Sequence, residues 1–215
     1  MSLSKLTIVI PTFYPGKIIK KCLESLPLKS EIIIIDNGDD LELEKIIKLQ
    51  KHKIKHYKVG DVGLSKSFNI ALAKSKNENI LITQPDVCFE KNSIINLVKA
   101  QKKYTKAGII SPLLFEKNKY SQYDYLDLSL SREGNLKNTK RPKKINILPS
   151  GDICVEAVNA TAMLIRKSII KKINGWDENI YTYHEDIDLC LRLRKKGYSI
   201  IKIKKAQNEL NFLPK

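Results

Sequence analysis

From Leu6 onward the chain alternates short apolar runs with stretches whose apolar residues recur every three or four positions. Leu6–Pro11 reads as a strand, and after Pro15-Gly16 the residues Ile18, Ile19, Cys22, Leu23 and Leu26 share one helical face. Glu31–Asp36 is an almost unbroken isoleucine run, the signature of a strand buried on both faces of a parallel sheet. Asn37-Gly38-Asp39-Asp40 interrupts it and supplies N-caps for a helix through about Gln50. The same alternation predicts a strand over Ile54–Val59, a helix over Leu64–Ser75, a strand over Asn79–Thr83, a helix over Ser93–Lys106 and a strand over Ala107–Leu113.

Residues 117–152 break the pattern: they are rich in Tyr, Lys, Asn and Ser, and predict a hairpin around Arg132-Glu133-Gly134-Asn135. Order resumes with a strand at Ala160–Arg166, a short helix at Ser168–Ile173 and a turn at Asn174-Gly175-Trp176-Asp177. A helix over Asp186–Lys196 follows, stopped by Gly197, and a last strand over Ser199–Ile203 leads into a basic tail at 204–215. The expected architecture is a single α/β domain over 1–215, a mostly parallel sheet with helices on both faces and an insertion at 117–152.

Length and charge modify this picture only slightly. A chain of 215 residues suffices for one domain with a real core. The longest apolar runs, Ile32–Ile35 and Ile80–Ile82, are far shorter than the ~20 residues that span a bilayer, so a cytoplasmic address is expected. Cys22, Cys88, Cys154 and Cys190 are widely spaced, with no C-x-x-C pair, and read as reduced, mostly buried thiols. The net charge of +16 comes mainly from lysines scattered along the chain. A solvated surface is the first reading of that charge, and peripheral contact with the anionic inner face of a membrane is the second. A nucleic-acid module would concentrate Arg and aromatics on one face, so nucleic acid is not an expected partner.

Open α/β sheets bind ligands at the carboxyl ends of their strands. Here those ends carry Pro11-Thr12, Asp36-Asn37-Gly38 and Gln84-Pro85-Asp86. Each alone would suit a cap or turn; three on one sheet edge point to a cleft. No G-x-G-x-x-G or Walker motif is present, so a nucleotide would be held by carboxylates such as Asp36, and by Asp86 through a divalent ion. A second dense segment, Tyr183-His184-Glu185-Asp186-Ile187-Asp188, opens the late helix. Its acids suit a helix N-terminus. Asp188 and Arg192 can pair at i,i+4, leaving Glu185 and Asp186 to face outward as candidate general bases.

These pieces resemble the GT-A-fold glycosyltransferases of family 2, and their rhamnosyltransferase-like branch in particular. The resemblance runs from Ile8-Val9-Ile10-Pro11-Thr12-Phe13-Tyr14 through Glu31–Gly38, Gly63–Asn69, Gln84-Pro85-Asp86-Val87, Asn159–Arg166 and Gly175-Trp176-Asp177-Glu178 to His184–Arg192 and Gly197-Tyr198. It implies an inverting enzyme that moves one sugar from a nucleotide-sugar donor to a hydroxyl of a carbohydrate or lipid-linked acceptor. Pro11, Thr12, Tyr14, Asp36, Asn37, Gly63, Asn69, Gln84, Pro85 and Asp86 would form the donor site. Asp86 would hold Mg²⁺ or Mn²⁺ as the last carboxylate of a D-x-D motif whose first position is Gln84. Asp186 would be the base, with Glu185 beside it. His184 and Trp176 would face the acceptor, although an orienting role for His184 is as open, and for Trp176 a core role is the first reading.

Two departures from the family pattern stand out: Gln84 replaces a carboxylate, and the stretch Ile203–Asn208 lacks the histidine that many relatives use as another metal ligand. They motivate a second reading, a catalytically degenerate sugar-nucleotide-binding protein.

Overall fold

A computed structural model describes residues 3–116, 119–120, 128–130, 136–138 and 151–210. After a short 3-10 turn at Leu3–Lys5, strands and helices alternate as β1 (Leu6–Thr12), α1 (Ile18–Ser25), β2 (Glu31–Asp36), α2 (Leu41–Lys48), β3 (Ile54–Lys58), α3 (Leu64–Lys74) and β4 (Asn79–Thr83). Then come β5 (Val87–Phe89), α4 (Ser93–Lys103), β6 (Ala107–Glu116), β7 (Lys119–Tyr120), β8 (Leu128–Leu130) and β9 (Leu136–Asn138). The chain closes with β10 (Ile153–Val155), β11 (Ala162–Arg166), α5 (Lys167–Lys172), α6 (Glu185–Lys195) and β12 (Ser199–Leu210).

The main sheet runs β10-β12-β6-β11-β4-β1-β2-β3. Its β4-β1-β2-β3 part is parallel, as expected. Beyond β4 the sheet is mixed, because β11 enters antiparallel between β4 and β6. That reversal matters for function: Ala162 pairs with Thr83, so the residues leading into β11 arrive at the carboxyl end of β4.

The isoleucine run of β2 is buried on both faces. Ile32 and Ile34 join one core cluster with α1 and α4, whereas Ile33 and Ile35 join the other with α3, α5 and α6. Register keeps the polar strand tips level, with Thr12 paired to Asp36 and Asp36 to Lys58. Pro11, which cannot donate to a ladder, lies past Val9, the last β1 residue paired with β4.

Two expectations change. The residues from 204 continue as strand to Leu210, with β12 parallel to β6 and antiparallel to β5. Ala206, Asn208 and Leu210 are buried while their neighbours are more exposed, the alternation of an ordinary half-buried strand. The hairpin expectation holds for β8 and β9, which pair antiparallel; its turn and most of 117–152 lie outside the described residues. The described cysteines are free thiols, with Cys22 and Cys190 buried, Cys88 partly so and Cys154 exposed.

Candidate active site

Asp36 ends β2 with a carboxylate that is fully buried and engaged. It accepts hydrogen bonds from the backbone amides of Gly38 (3.1 Å) and Asp40 (3.2 Å), and its Oδ2 lies 3.0 Å from Nε2 of His56. The carboxylate thus builds the 37–40 loop. Asn37 is a stitch between three elements: its amide Nδ2 donates to the carbonyls of Thr12 and Ile35, and its Oδ1 accepts from the Val62 amide and the Ser67 hydroxyl. Gly38 is required because a Cβ there would lie 2.9 Å from the Tyr14 ring. Tyr14 (63 % exposed) and the adjacent Phe13 are thereby held as an edge-to-face pair, centroids 5.0 Å apart, on the rim of the strand ends.

Gly63 starts α3 with φ of +80°, and a Cβ on it would meet the Tyr181 carbonyl at 2.5 Å. That carbonyl accepts from the Leu64 amide (2.8 Å), while the Tyr181 hydroxyl bonds Asp61. The segment before α6 is therefore latched over the start of α3, which sequence reasoning did not anticipate.

Two expected site residues are corrected. Trp176 does not face an acceptor: its ring is 3 % exposed and packs on Phe68 at 5.1 Å in the core. Asn69 does not line an open pocket either. Its Oδ1 accepts from the Trp176 amide and its Nδ2 donates to the Trp176 carbonyl, both at 2.9 Å, and Nδ2 also reaches Glu178. Asn69 clamps the turn that carries Trp176, and Arg192 secures the same turn through the carbonyls of Ile173 (2.8 Å) and Gly175 (2.7 Å). Asn69→Ala is expected to cost about 1–3 kcal/mol, the price of stranding buried backbone groups, measured by denaturant unfolding.

The expected Asp188–Arg192 pair is present, with Nε 2.7 Å from Oδ2. Glu185 and Asp186, however, do not face outward. They are 4 % and 8 % exposed and point into the fold, while His184 is exposed at the helix start. Tyr183 and His184 both adopt left-handed backbone (φ of 62° and 70°), a strained pair that sets the entry angle of α6.

The antiparallel entry of β11 joins this helix to the β4 end. Oδ2 of Asp186 accepts from the Ala160 amide (3.1 Å), and Oδ1 from the Ile187 amide (2.8 Å). The carbonyl of Ala160, on the same residue, faces the Gln84 side-chain amide at 3.5 Å, and the Thr83 hydroxyl donates to Thr161 (2.9 Å). One residue thus bridges the candidate base and the Gln84-Pro85-Asp86 turn, itself closed by the Val87 amide on the Gln84 carbonyl.

Burial raises the Asp86 carboxyl above its ordinary value. Burial likewise raises Asp186, against the opposing pull of its backbone donors. Glu185 is pushed up to about 7, first by burial and then by the charge of Asp186, and its Oε2 is buried with no hydrogen-bond partner among the described residues. Between pH 4.5 and about 7 the unfolded chain releases a Glu185 proton that the folded chain retains, so this group's stabilising contribution, full below 4.5, is lost as pH rises through 7. Glu185→Gln is therefore expected to be more stable than the parent at pH 8, by roughly 1–3 kcal/mol, with the difference vanishing near pH 4 in a pH series of thermal melts.

Among the described residues no three His, Cys, Asp or Glu side chains gather as a metal cluster. The set does fit a hard cation held jointly with a ligand: Asp86 offers a partly buried carboxylate, and Gln84 an amide oxygen two residues earlier.

Comparison with known proteins decides the family. Residues 7–173 match the family described as Glycosyl transferase family 2. The chain belongs to that family. It is a glycosyltransferase, and its fold is GT-A. It is 32 % identical over 200 residues to the rhamnosyltransferase WbbL of Escherichia coli K12, covering 83 % of this chain and 73 % of WbbL. It is 21 % identical over 229 residues to an N-acetylglucosaminyl-diphospho-decaprenol L-rhamnosyltransferase of Mycobacterium tuberculosis, covering 94 % of this chain and 74 % of that protein. Together these place it in the rhamnosyltransferase-like branch.

Among solved structures, GalNAc-T7 with UDP, GalNAc and Mn²⁺ superposes with a TM-score of 0.76 at 16 % identity, covering 97 % of this chain and 44 % of the other. The mannosyltransferase PcManGT of Pyrobaculum calidifontis, with GDP-Man and Mn²⁺, gives a TM-score of 0.72 at 14 % identity, covering 98 % and 57 %. The transferase thus spans about half the length of those two chains. No helix among its described residues is long and apolar enough to cross a membrane.

Proposed function

We propose that this transferase moves a single sugar, with inversion at the anomeric carbon, from a nucleotide-diphosphate sugar to a hydroxyl of a lipid-linked saccharide during surface-glycan assembly. The observation that carries the reading is the Asp186–Ala160–Gln84 bridge, which fixes a buried carboxylate against the turn bearing Asp86. A general base must lie close to the reacting bond, and this connection sets that spacing through one backbone unit.

In the proposed mechanism, Asp86, with Gln84 beside it, would hold a divalent cation, Mg²⁺ or Mn²⁺, which when bound would neutralise charge on the donor diphosphate. Thr12 and the loop shaped by Asp36 and Asn37 form the floor beneath the nucleoside, and the exposed Tyr14 ring offers a stacking face. Asp186 accepts the proton of the acceptor hydroxyl as its oxygen attacks the anomeric carbon, and the bond to the nucleoside diphosphate breaks on the opposite side. Both Asp186 oxygens already accept one backbone hydrogen bond, which leaves each a further lone pair for that hydroxyl. His184, exposed beside the base, would contact the acceptor.

Support for the acceptor class comes from the decaprenol-linked substrate in the name of the mycobacterial relative. The test is a thermal-shift screen of sugar nucleotides and nucleoside diphosphates, with and without Mn²⁺. The expected result is stabilisation by one nucleoside-diphosphate series that grows when Mn²⁺ is added. Indifference to every nucleotide would contradict the donor assignment.

A further inference from the structure

Helices α1 and α2 pack on one face of the sheet and line an open groove of about 760 Å³, none of whose lining residues belongs to the Asp186–Ala160–Gln84 bridge. Lys17, Lys20, Lys45 and Lys51 line it. So do two leucines that the fold leaves in solvent, Leu28 (60 % exposed) and Leu49 (83 % exposed), and Leu41 at the start of α2 is also exposed (68 %). Two acids share the lining, Glu24 and Glu42, and Glu24 lies 4.0 Å from Lys20 on the helix surface, so the groove keeps a net positive charge.

We propose that this α1–α2 face is a docking surface for an anionic phospholipid bilayer, with the leucine side chains entering the interface and the lysines meeting lipid phosphates. Charge complementarity selects the occupant. A second copy of the chain would bring the same lysines against each other. A nucleic-acid backbone would satisfy the lysines but leave the leucines unused, and the groove lining holds no Phe, Tyr or Trp for stacking, its one ring being the half-buried His52 engaged with the Leu26 carbonyl. A bilayer surface uses both, because apolar tips beside flexible cationic side chains match its apolar interior and charged headgroups. Lys17 lies where α1 begins after the sheet's carboxyl edge, and Leu28 and Leu49 follow the far ends of α1 and α2 toward its amino edge, so a bilayer on this face runs along the length of both helices. The docking does not depend on the acceptor class proposed above.

The test is flotation of the full chain with vesicles of phosphatidylcholine alone and of phosphatidylcholine with phosphatidylglycerol, in low and high salt. Leu28→Glu/Leu49→Glu is compared with Lys171→Glu/Lys172→Glu, an exposed pair on α5 against the opposite face. The expected result is binding to the anionic vesicles only, weakened by salt, reduced at least about tenfold in the leucine variant and kept within about threefold in the α5 variant. Thermal shift by nucleoside diphosphate confirms that both variants remain folded. If the leucine variant does not fold, Lys17→Glu/Lys45→Glu takes its place with the same expectation. The proposal is overturned if the groove variants bind as the parent does, or if the α5 variant loses as much. It is equally overturned if the parent ignores vesicles and forms a dimer that the leucine change dissolves, or if it binds single-stranded RNA more tightly than anionic vesicles.

Discussion

Asp186→Asn should lower turnover by about 10²- to 10⁴-fold while leaving nucleotide binding intact. The side chain is nearly isosteric and its single oxygen can still accept from the Ala160 amide, so the bridge to Gln84 persists, while its NH2 group takes the place of the oxygen that accepts from the Ile187 amide and that one bond is lost. The capacity to take a proton disappears with it. Steady-state turnover and calorimetric nucleotide affinity, measured on the same preparation, separate the two effects. Near-parent turnover would remove Asp186 from the chemistry and direct attention to Glu185, whose unpartnered Oε2 is the nearest alternative.

Asp86→Asn has a different signature. Asp86 is the carboxylate of the Gln84-Pro85-Asp86 turn, and the residue two positions earlier is an amide, so its removal leaves the cation without an anionic protein ligand in that turn. The expected loss in kcat/KM is on the order of 10²- to 10³-fold, the scale on which preorganised charge stabilisation acts. The parent should bind donor more tightly with Mn²⁺ than without it, and the variant should bind equally under both conditions. A variant that retains the Mn²⁺ increment would show that the cation is held elsewhere.

Much of the fold was legible because its first half obeys local rules. The isoleucine run of β2 could only be a strand covered on both faces, and Ile32/Ile34 and Ile33/Ile35 do divide between the two cores. The reversed direction of β11 was not legible, since Ala162–Arg166 is as apolar as a parallel strand. The extension of β12 had a signal in Ala206, Asn208 and Leu210, hidden by the density of lysine around it.

In the candidate site, Gln84, Asp86 and Asp186 are the side chains the sequence offers, but the link between Gln84 and Asp186 is the backbone of Ala160, and an alanine gives no chemical hint of that role. The donor-site reading of Asn69 and the acceptor-facing reading of Trp176 fail for the opposite reason. Both side chains suit ligand contact, yet Asn69 spends its amide on the Trp176 backbone and Trp176 its ring on Phe68. Burial, absent from a sequence, decides such cases.

The most direct test of the proposed transfer is turnover itself: release of nucleoside diphosphate from the sugar nucleotide that stabilises the protein most, with Mn²⁺ present and a polyprenyl-diphosphate-linked sugar as acceptor. Release is expected to require acceptor and cation together and to yield product of inverted anomeric configuration. Tight nucleotide binding with no release under any acceptor would contradict it, leaving a protein that holds a donor and does not transfer it.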